Sequence, residues 1–204
     1  WCVSGTTAGL PNVCGPVVVP LSFVHEVQGS GLTAAMAGST VRVEAIVIAD
    51  YQNTEQLRGF FIQEEDMDSD ADNNTSEGIF VYCDSCPTSV SVGDLVEVTG
   101  LAEDYFGMTQ IDLTAPGSVL NNISSGNVLP SPSSISLPAT ASTEAEGTFE
   151  NVEGMLINVI TDLVVSEYFE LARYGQLVLS ANNRVRQFTD SNEPDVAGYA
   201  TYLD

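Results

Sequence analysis

Seven carboxylates crowd the fourteen residues from Glu64 to Glu77: Glu64, Glu65, Asp66, Asp68, Asp70, Asp72 and Glu77. At that density the side chains repel one another unless water or a cation screens them. The spacing favours a cation. Asp66, Asp68, Asp70 and Asp72 stand at alternate positions, and Glu77 is the twelfth residue counted from Asp66. Calcium takes about six to eight oxygen ligands, which alternating Asp on a curved backbone supply and a late Glu completes. Oxygen-only donors disfavour zinc, and the loop's length suits calcium's flexible shell over strict octahedral magnesium. The expected site is therefore one structural Ca²⁺ held by Asp66, Asp68, Asp70, Asp72 and Glu77. Glu64, nearer a strand, is expected to matter little. The fit to the helix-flanked calcium loop is partial, because Ala71 stands where that loop has Gly and the flanks read as strands. The bland alternative is a solvated acidic flap.

Little else in the chain offers catalytic chemistry. His25 is the single histidine, and a lone His reads first as a hydrogen-bonded packing residue. One histidine supports no Ser/His/Asp or Cys/His set. Carboxylate pairs for glycoside chemistry are abundant, but nothing singles one out. The four cysteines are Cys2, Cys14, Cys83 and Cys86. Their even number suggests two disulfides, Cys2–Cys14 and Cys83–Cys86. A zinc site is the rival, yet only the Cys83–Cys86 pair has knuckle spacing. A redox Cys-x-x-Cys fits less well, since such pairs usually open a helix and this one lies in a turn between strands.

The elements that must position these groups are strands. Gly59-Phe60-Phe61-Ile62-Gln63 and Gly78-Ile79-Phe80-Val81-Tyr82 flank the acidic loop, short, aromatic and β-branched. Gly38 to Tyr51 alternates early and turns apolar on both faces later. Val92 to Asp104 alternates clearly, Tyr105-Phe106-Gly107 turns, and Met108 to Leu113 returns. Five strands in this span fit a small closed barrel of the OB type, without the helix often found between its third and fourth strands. The expected organisation is a disulfide-clipped lead-in over 1–37, the barrel over 38–115, a Ser/Pro-rich connector over 116–150 and a second β region over 151–204. In that last region Val152 to Ile160 weakly echoes Val43 to Asp50, which suggests a truncated OB-like half, and Glu193 to Asp204 reads as a short helix. The fold class is thus all-β.

Composition bounds the partners. The formal charge is −23, from 28 acids and 5 Arg, with no Lys. Such a chain does not attract nucleic acid by its overall field; it stays soluble and attracts cations. A saline or calcium-rich medium suits it. No apolar run is long enough to span a membrane. The chain begins at Trp1 without a signal-peptide pattern and reads as a processed or excised piece of a longer protein, expected to be monomeric.

Several stretches together carry a resemblance. His25-Glu26-Val27-Gln28-Gly29-Ser30-Gly31, Gly59 to Gln63 with its Asp-rich loop, Gly78 to Tyr82, Val92-Gly93-Asp94 and Tyr105 to Gln110 resemble the OB-fold region of large secreted bacterial nucleases. Glu153-Gly154-Met155, Arg173 to Leu177 and Arg184 to Gln187 extend the likeness over nearly all of the chain after Val19. Those nucleases carry a C-terminal catalytic domain of the endonuclease/exonuclease/phosphatase type. The resemblance implies a secreted, extracellular accessory module, its catalytic partner lying in the same parent chain. Metal-dependent cleavage of that class needs two His among its residues, so catalysis is not expected here. OB barrels grip single strands with aromatic platforms and a few cations. Candidates for weak DNA contact are Tyr51, Arg58, Tyr105 and Phe106, although Tyr105 and Phe106 also suit a plain cap on the barrel. A calcium-rigidified spacer, or a surface adhesion or carbohydrate-binding module, would use the same loops.

Overall fold

Alternation of buried and exposed side chains builds the centre of the molecule. In the computed structural model, which describes residues 18–138, 149–190 and 192–203, five strands close a ring. They are β1 (Thr40–Tyr51), β2 (Gly59–Gln63), β3 (Gly78–Tyr82), β4 (Leu95–Tyr105) and β5 (Met108–Asp112). Their order is β1-β2-β3-β5-β4, and β4 returns to β1. β1 serves two neighbours. Its first half, Thr40 to Ile46, pairs with β4, and its second half pairs with β2 across a bulge between Val47 and Ala49. β3 and β5 run parallel, and the other pairs are antiparallel. This is the OB-type barrel.

The inward face is mainly apolar. Val41, Val43, Ala45 and Val47 of β1 meet Phe60, Ile62, Ile79, Val81, Val96, Val98, Ala102 and Ile111 in one cluster. Burying each larger side chain contributes about 1.5–3 kcal/mol. The barrel has no helix between β3 and β4; that stretch carries the Cys83–Cys86 disulfide. The Gln52 side chain holds it by accepting from Val90 N–H at 3.0 Å and donating to the Thr88 carbonyl at 3.0 Å. A helix comes instead from the lead-in. α1 (Val24–Gln28) sinks Val24 and Val27 into the core and donates from Gln28 Nε2 to the Gly78 carbonyl at 2.6 Å. The lead-in is therefore part of the barrel's core from Val24 onward. The Cys2–Cys14 pair lies outside the described residues.

The span expected as a connector contains structure. β6 (Val119–Ser124) pairs with the Leu95 to Thr99 half of β4, the edge that β5, pairing with Leu101 to Tyr105, leaves open. Leu120 alone of its six residues is buried, so its Ser/Asn-rich sequence gives almost no hydrophobic period. Residues 151–156, expected within the second region, belong to the barrel unit, which comprises Trp1–Ser133 and Thr143–Leu156.

The second unit comprises Ser134–Ser142 and Ile157–Asp204. It holds two two-stranded sheets. One pairs β7 (Ser133–Ile135) with β8 (Ile157–Val159), and the other pairs β9 (Leu163–Glu167) with β10 (Val178–Ala181). Its described residues also form two α-helices, α2 (Leu171–Tyr174) and α3 (Val196–Leu203). Asp195 caps α3 by accepting Gly198 N–H at 2.6 Å, close to the expected helix. The echo of β1 yields only the three-residue β8, so the sheets here are incomplete and do not repeat the ring. Among the described residues no helix is long and apolar enough to cross a membrane.

Candidate functional site

The two carboxylates that end the acidic loop continue the inward face of their strands. Phe60, Ile62 and Glu64 fall on one side of β2, and Glu77, Ile79 and Val81 on one side of β3. Glu64 N–H donates to the Glu77 carbonyl at 3.0 Å and prolongs the ladder by a rung. Both side chains thus enter the protein where α1 crosses. Glu64, 2% exposed, accepts the Val24 N–H and, at 3.3 Å, the His25 N–H. His25 Nδ1 lies 2.9 Å from Glu64 Oε2 and 3.2 Å from Glu77 Oε2. Phe23 stacks on the imidazole with ring centroids 5.1 Å apart. His25 Nε2 is 4.0 Å from Asp70 Oδ2.

Burial pushes the Glu64 carboxyl up to about 8, reinforced by Glu77 and opposed by His25. Burial pulls His25 down, but hydrogen bonds and charge from Glu64, then Glu77, outweigh it and leave the imidazole raised. Two buried carboxylates with one imidazole between them hold a proton tightly, or could exchange it for a cation. Ligand atoms of His25, Glu64 and Glu77 lie within 4.8 Å of one another, the metal-ligand grouping among the described residues.

The four alternating Asp do not join that group. Asp66 accepts Ser131 N–H and Oγ–H, both at 2.7 Å, and its pKa is lowered by them. Asp70 accepts Asp72 N–H at 2.7 Å, which lowers its pKa, and also Thr75 Oγ1–H. Asp72 accepts Asn74 N–H at 3.0 Å. The bonds of Asp70 and Asp72 are local turn-closing ones, while that of Asp66 reaches Ser131, 65 residues away. Asp68 is half-buried and no ligand cluster includes it. Glu77 is the expected ligand that the structure brings to the group, holding the loop through Ser69 Oγ–H at 2.9 Å as well. The donor set at the buried end, two carboxylates and an imidazole, suits a borderline divalent ion better than calcium, which prefers oxygen. Sequence reasoning passed over His25 and discounted Glu64; the in-line period Phe60, Ile62, Glu64 is the signal that marks Glu64 as inward.

One distant segment fastens the loop and covers half of the β2–β3 outer face. Asn151 Nδ2 donates to the Asn73 carbonyl at 2.9 Å, and Ser76 Oγ to the Glu153 carbonyl at 2.6 Å. Leu156 N–H donates to Gln63 Oε1 at 2.8 Å, and Thr109 N–H to Glu153 Oε2 at 3.1 Å. Gly78 and Gly154 allow the approach: a Cβ on Gly78 would lie 2.5 Å from the Gly154 carbonyl carbon. Burial raises the Glu153 carboxyl.

The other half of the face is aromatic. Half-buried Phe61 and buried Phe80 pack there with centroids 4.8 Å apart, and Tyr51, 41% exposed, meets Phe61 edge-on at 6.3 Å. Arg58 stands at the same end in a left-handed conformation, φ 57°, its Nη1 donating to Asp84 Oδ1 at 2.6 Å. Tyr105 and Phe106 lie at the opposite end of the strands, since Tyr105 pairs with Met108 while Tyr51 pairs with Gly59. They touch each other edge-on at 4.7 Å, and Phe106 is 94% exposed, so it caps nothing. The four candidates thus divide into two pairs at opposite ends of the barrel. Compared with protein-family models and with curated proteins, the chain matches none.

Proposed function

We propose that this chain is a non-catalytic OB-barrel module of a secreted nuclease, which helps hold nucleic acid for a catalytic domain of the same parent and is stiffened by a divalent cation. The observation that supports it is the aromatic half of the β2–β3 outer face, where exposed Tyr51 meets half-buried Phe61 edge-on and Arg58 stands beside it. That face is where OB barrels take single strands, and base-on-aromatic stacking does not depend on net charge. A labelled single-stranded decathymidylate titrated at low salt should bind weakly, and Tyr51→Ala should reduce affinity about fivefold or more, at the low end of a lost stacking contact. No binding at 20 mM salt would refute the reading.

The count of loop oxygens favours Ca²⁺, whereas the imidazole of the His25–Glu64–Glu77 group favours a borderline ion such as Mn²⁺ at the buried end. Thermal melts in chelator, millimolar Ca²⁺ and millimolar Mn²⁺ decide the ion. A hundredfold excess over the dissociation constant stabilises by about 2.7 kcal/mol. Asp70→Ala abolishing the gain places the ion in the loop, whereas Glu64→Gln abolishing it places the ion at the buried end.

A second reading, a rigid spacer without substrate contact, is favoured by the cover that residues 151–156 lay over the rest of the face. It predicts cation stabilisation with no oligonucleotide binding.

A further inference from the structure

Three of the five Arg lie in the second unit, with seven of the 28 carboxylates. The barrel unit has the other 21 carboxylates and two Arg. Both of those Arg are engaged, Arg42 with Glu97 at 2.5 Å and Arg58 with Asp84 at 2.6 Å. Among the described residues neither Arg184 nor Arg186 is in an ion pair. Both line a groove of about 940 Å³ that lies wholly within the second unit.

Aromatic rings form another part of its lining. Tyr199 and Tyr202 project from one side of α3, nearly parallel at 20° with centroids 6.2 Å apart. Phe188 meets each at 5.8 Å. The Tyr202 hydroxyl donates to the Arg186 carbonyl, which ties the aromatic helix to the Arg-bearing strap. Tyr199 and Tyr202 remain 49% and 44% exposed, so their rings are offered to a ligand. Glu167 and Asp190 also line the groove and balance the two Arg formally. What the groove presents is therefore two Arg and partly exposed aromatic rings beside two carboxylates, not a uniform basic field.

We infer that this groove is a binding site for single-stranded nucleic acid, with Arg184 and Arg186 taking backbone phosphates and Tyr199 and Tyr202 stacking a base. Guanidinium forks match phosphate oxygens, and aromatic platforms accept any base. The inference deepens the proposed function and rests on it. It moves the main contact from the acidic barrel to the less acidic unit, where the repulsion of phosphate is smaller.

The test is fluorescence anisotropy with the full chain and labelled decathymidylate at 20 mM and 200 mM salt. The double variant Arg184→Gln/Arg186→Gln should weaken binding about tenfold or more, as loss of charge-assisted contacts does. Its salt slope should become shallower by about 1.4, the single-strand value for two phosphates. A charge-matched control, Arg42→Gln/Arg173→Gln, should change affinity little. A ten-unit abasic strand should bind at least about fivefold more weakly, the lower end of a lost stacking contact. Equal affinities for both double variants, an abasic strand as tight as the decamer, or thymidine monophosphate as tight as the decamer would each overturn the inference. Binding that survives Arg184→Gln/Arg186→Gln but falls with Tyr51→Ala overturns the groove and leaves the proposed module standing. No binding by the intact chain overturns both.

Discussion

Phe60, Ile62, Ile79 and Ile111 are sealed from solvent in the barrel unit, while Tyr168, Phe169, Val185 and Val196 of the second unit stand more than 60% exposed. Both units are rich in aromatic and β-branched residues, so composition does not separate them. Closure does. A five-strand ring turns every inward face toward the others, and β6 pairs with the half-edge that β4 leaves free. A two-stranded sheet has nothing opposite its apolar face and is marginal alone. Charge divides the same way. The barrel unit carries 21 of the 28 acids against two Arg and can tolerate them because its core supplies the stability; the second unit, with seven acids against three Arg, is less acidic.

The largest expected effect tests that contrast directly. Phe60→Ala should cost about 3–5 kcal/mol in urea unfolding, as large-to-small changes do in a closed core. Phe188→Ala, which loses two ring contacts, should cost about 1 kcal/mol. Equal costs would mean the second unit is as tightly packed as the barrel and break the comparison.

The next effect concerns the His25–Glu64–Glu77 group sealed into the barrel end. Glu64 titrates higher folded than unfolded, so the folded chain holds its proton in a range where the unfolded chain has lost it. The stabilisation is complete below pH 4.5 and is lost as pH rises toward about 8. His25, also raised, acts in the same direction, its share present below 6.5 and lost as pH climbs through its folded value. Metal-free protein should therefore lose stability, on the order of a few kcal/mol, between pH 5 and pH 9. Thermal melts across that range check it, and Glu64→Gln should flatten the profile. A profile equally steep in the variant would show that the slope comes from the exposed acids instead.

The smallest effect sharpens the comparison at the barrel's other end. Cys83 and Cys86 close a short loop, so replacing both with Ser should cost only about 1.5–2 kcal/mol by the loop-entropy relation. Guanidinium unfolding measures it. A loss as large as that of Phe60→Ala would mean that the bridge, and not the core, secures the ring.

The sequence by itself determined the ring of strands. Alternation over Thr40 to Asp112 sets which side chains face inward, and apolar side chains dominate that face. It also determined the acidic loop, the single histidine and the charge. Tertiary structure decided what those groups do. His25 is 39 residues from Glu64 and 52 from Glu77, yet they meet because α1 packs across the barrel end. Asp66 is claimed by Ser131, 65 residues away, so its even spacing with Asp68 and Asp70 does not gather the three on one centre. β6 exists only because β4 has an unpaired edge, and the covering segment from Asn151 to Leu156 only because Gly78 and Gly154 let two backbones touch. Local periodicity reports which way a side chain points along its own strand. Which distant partner it meets is set by closure and by the few places where backbones can approach, and no window of sequence contains both sides of such a contact.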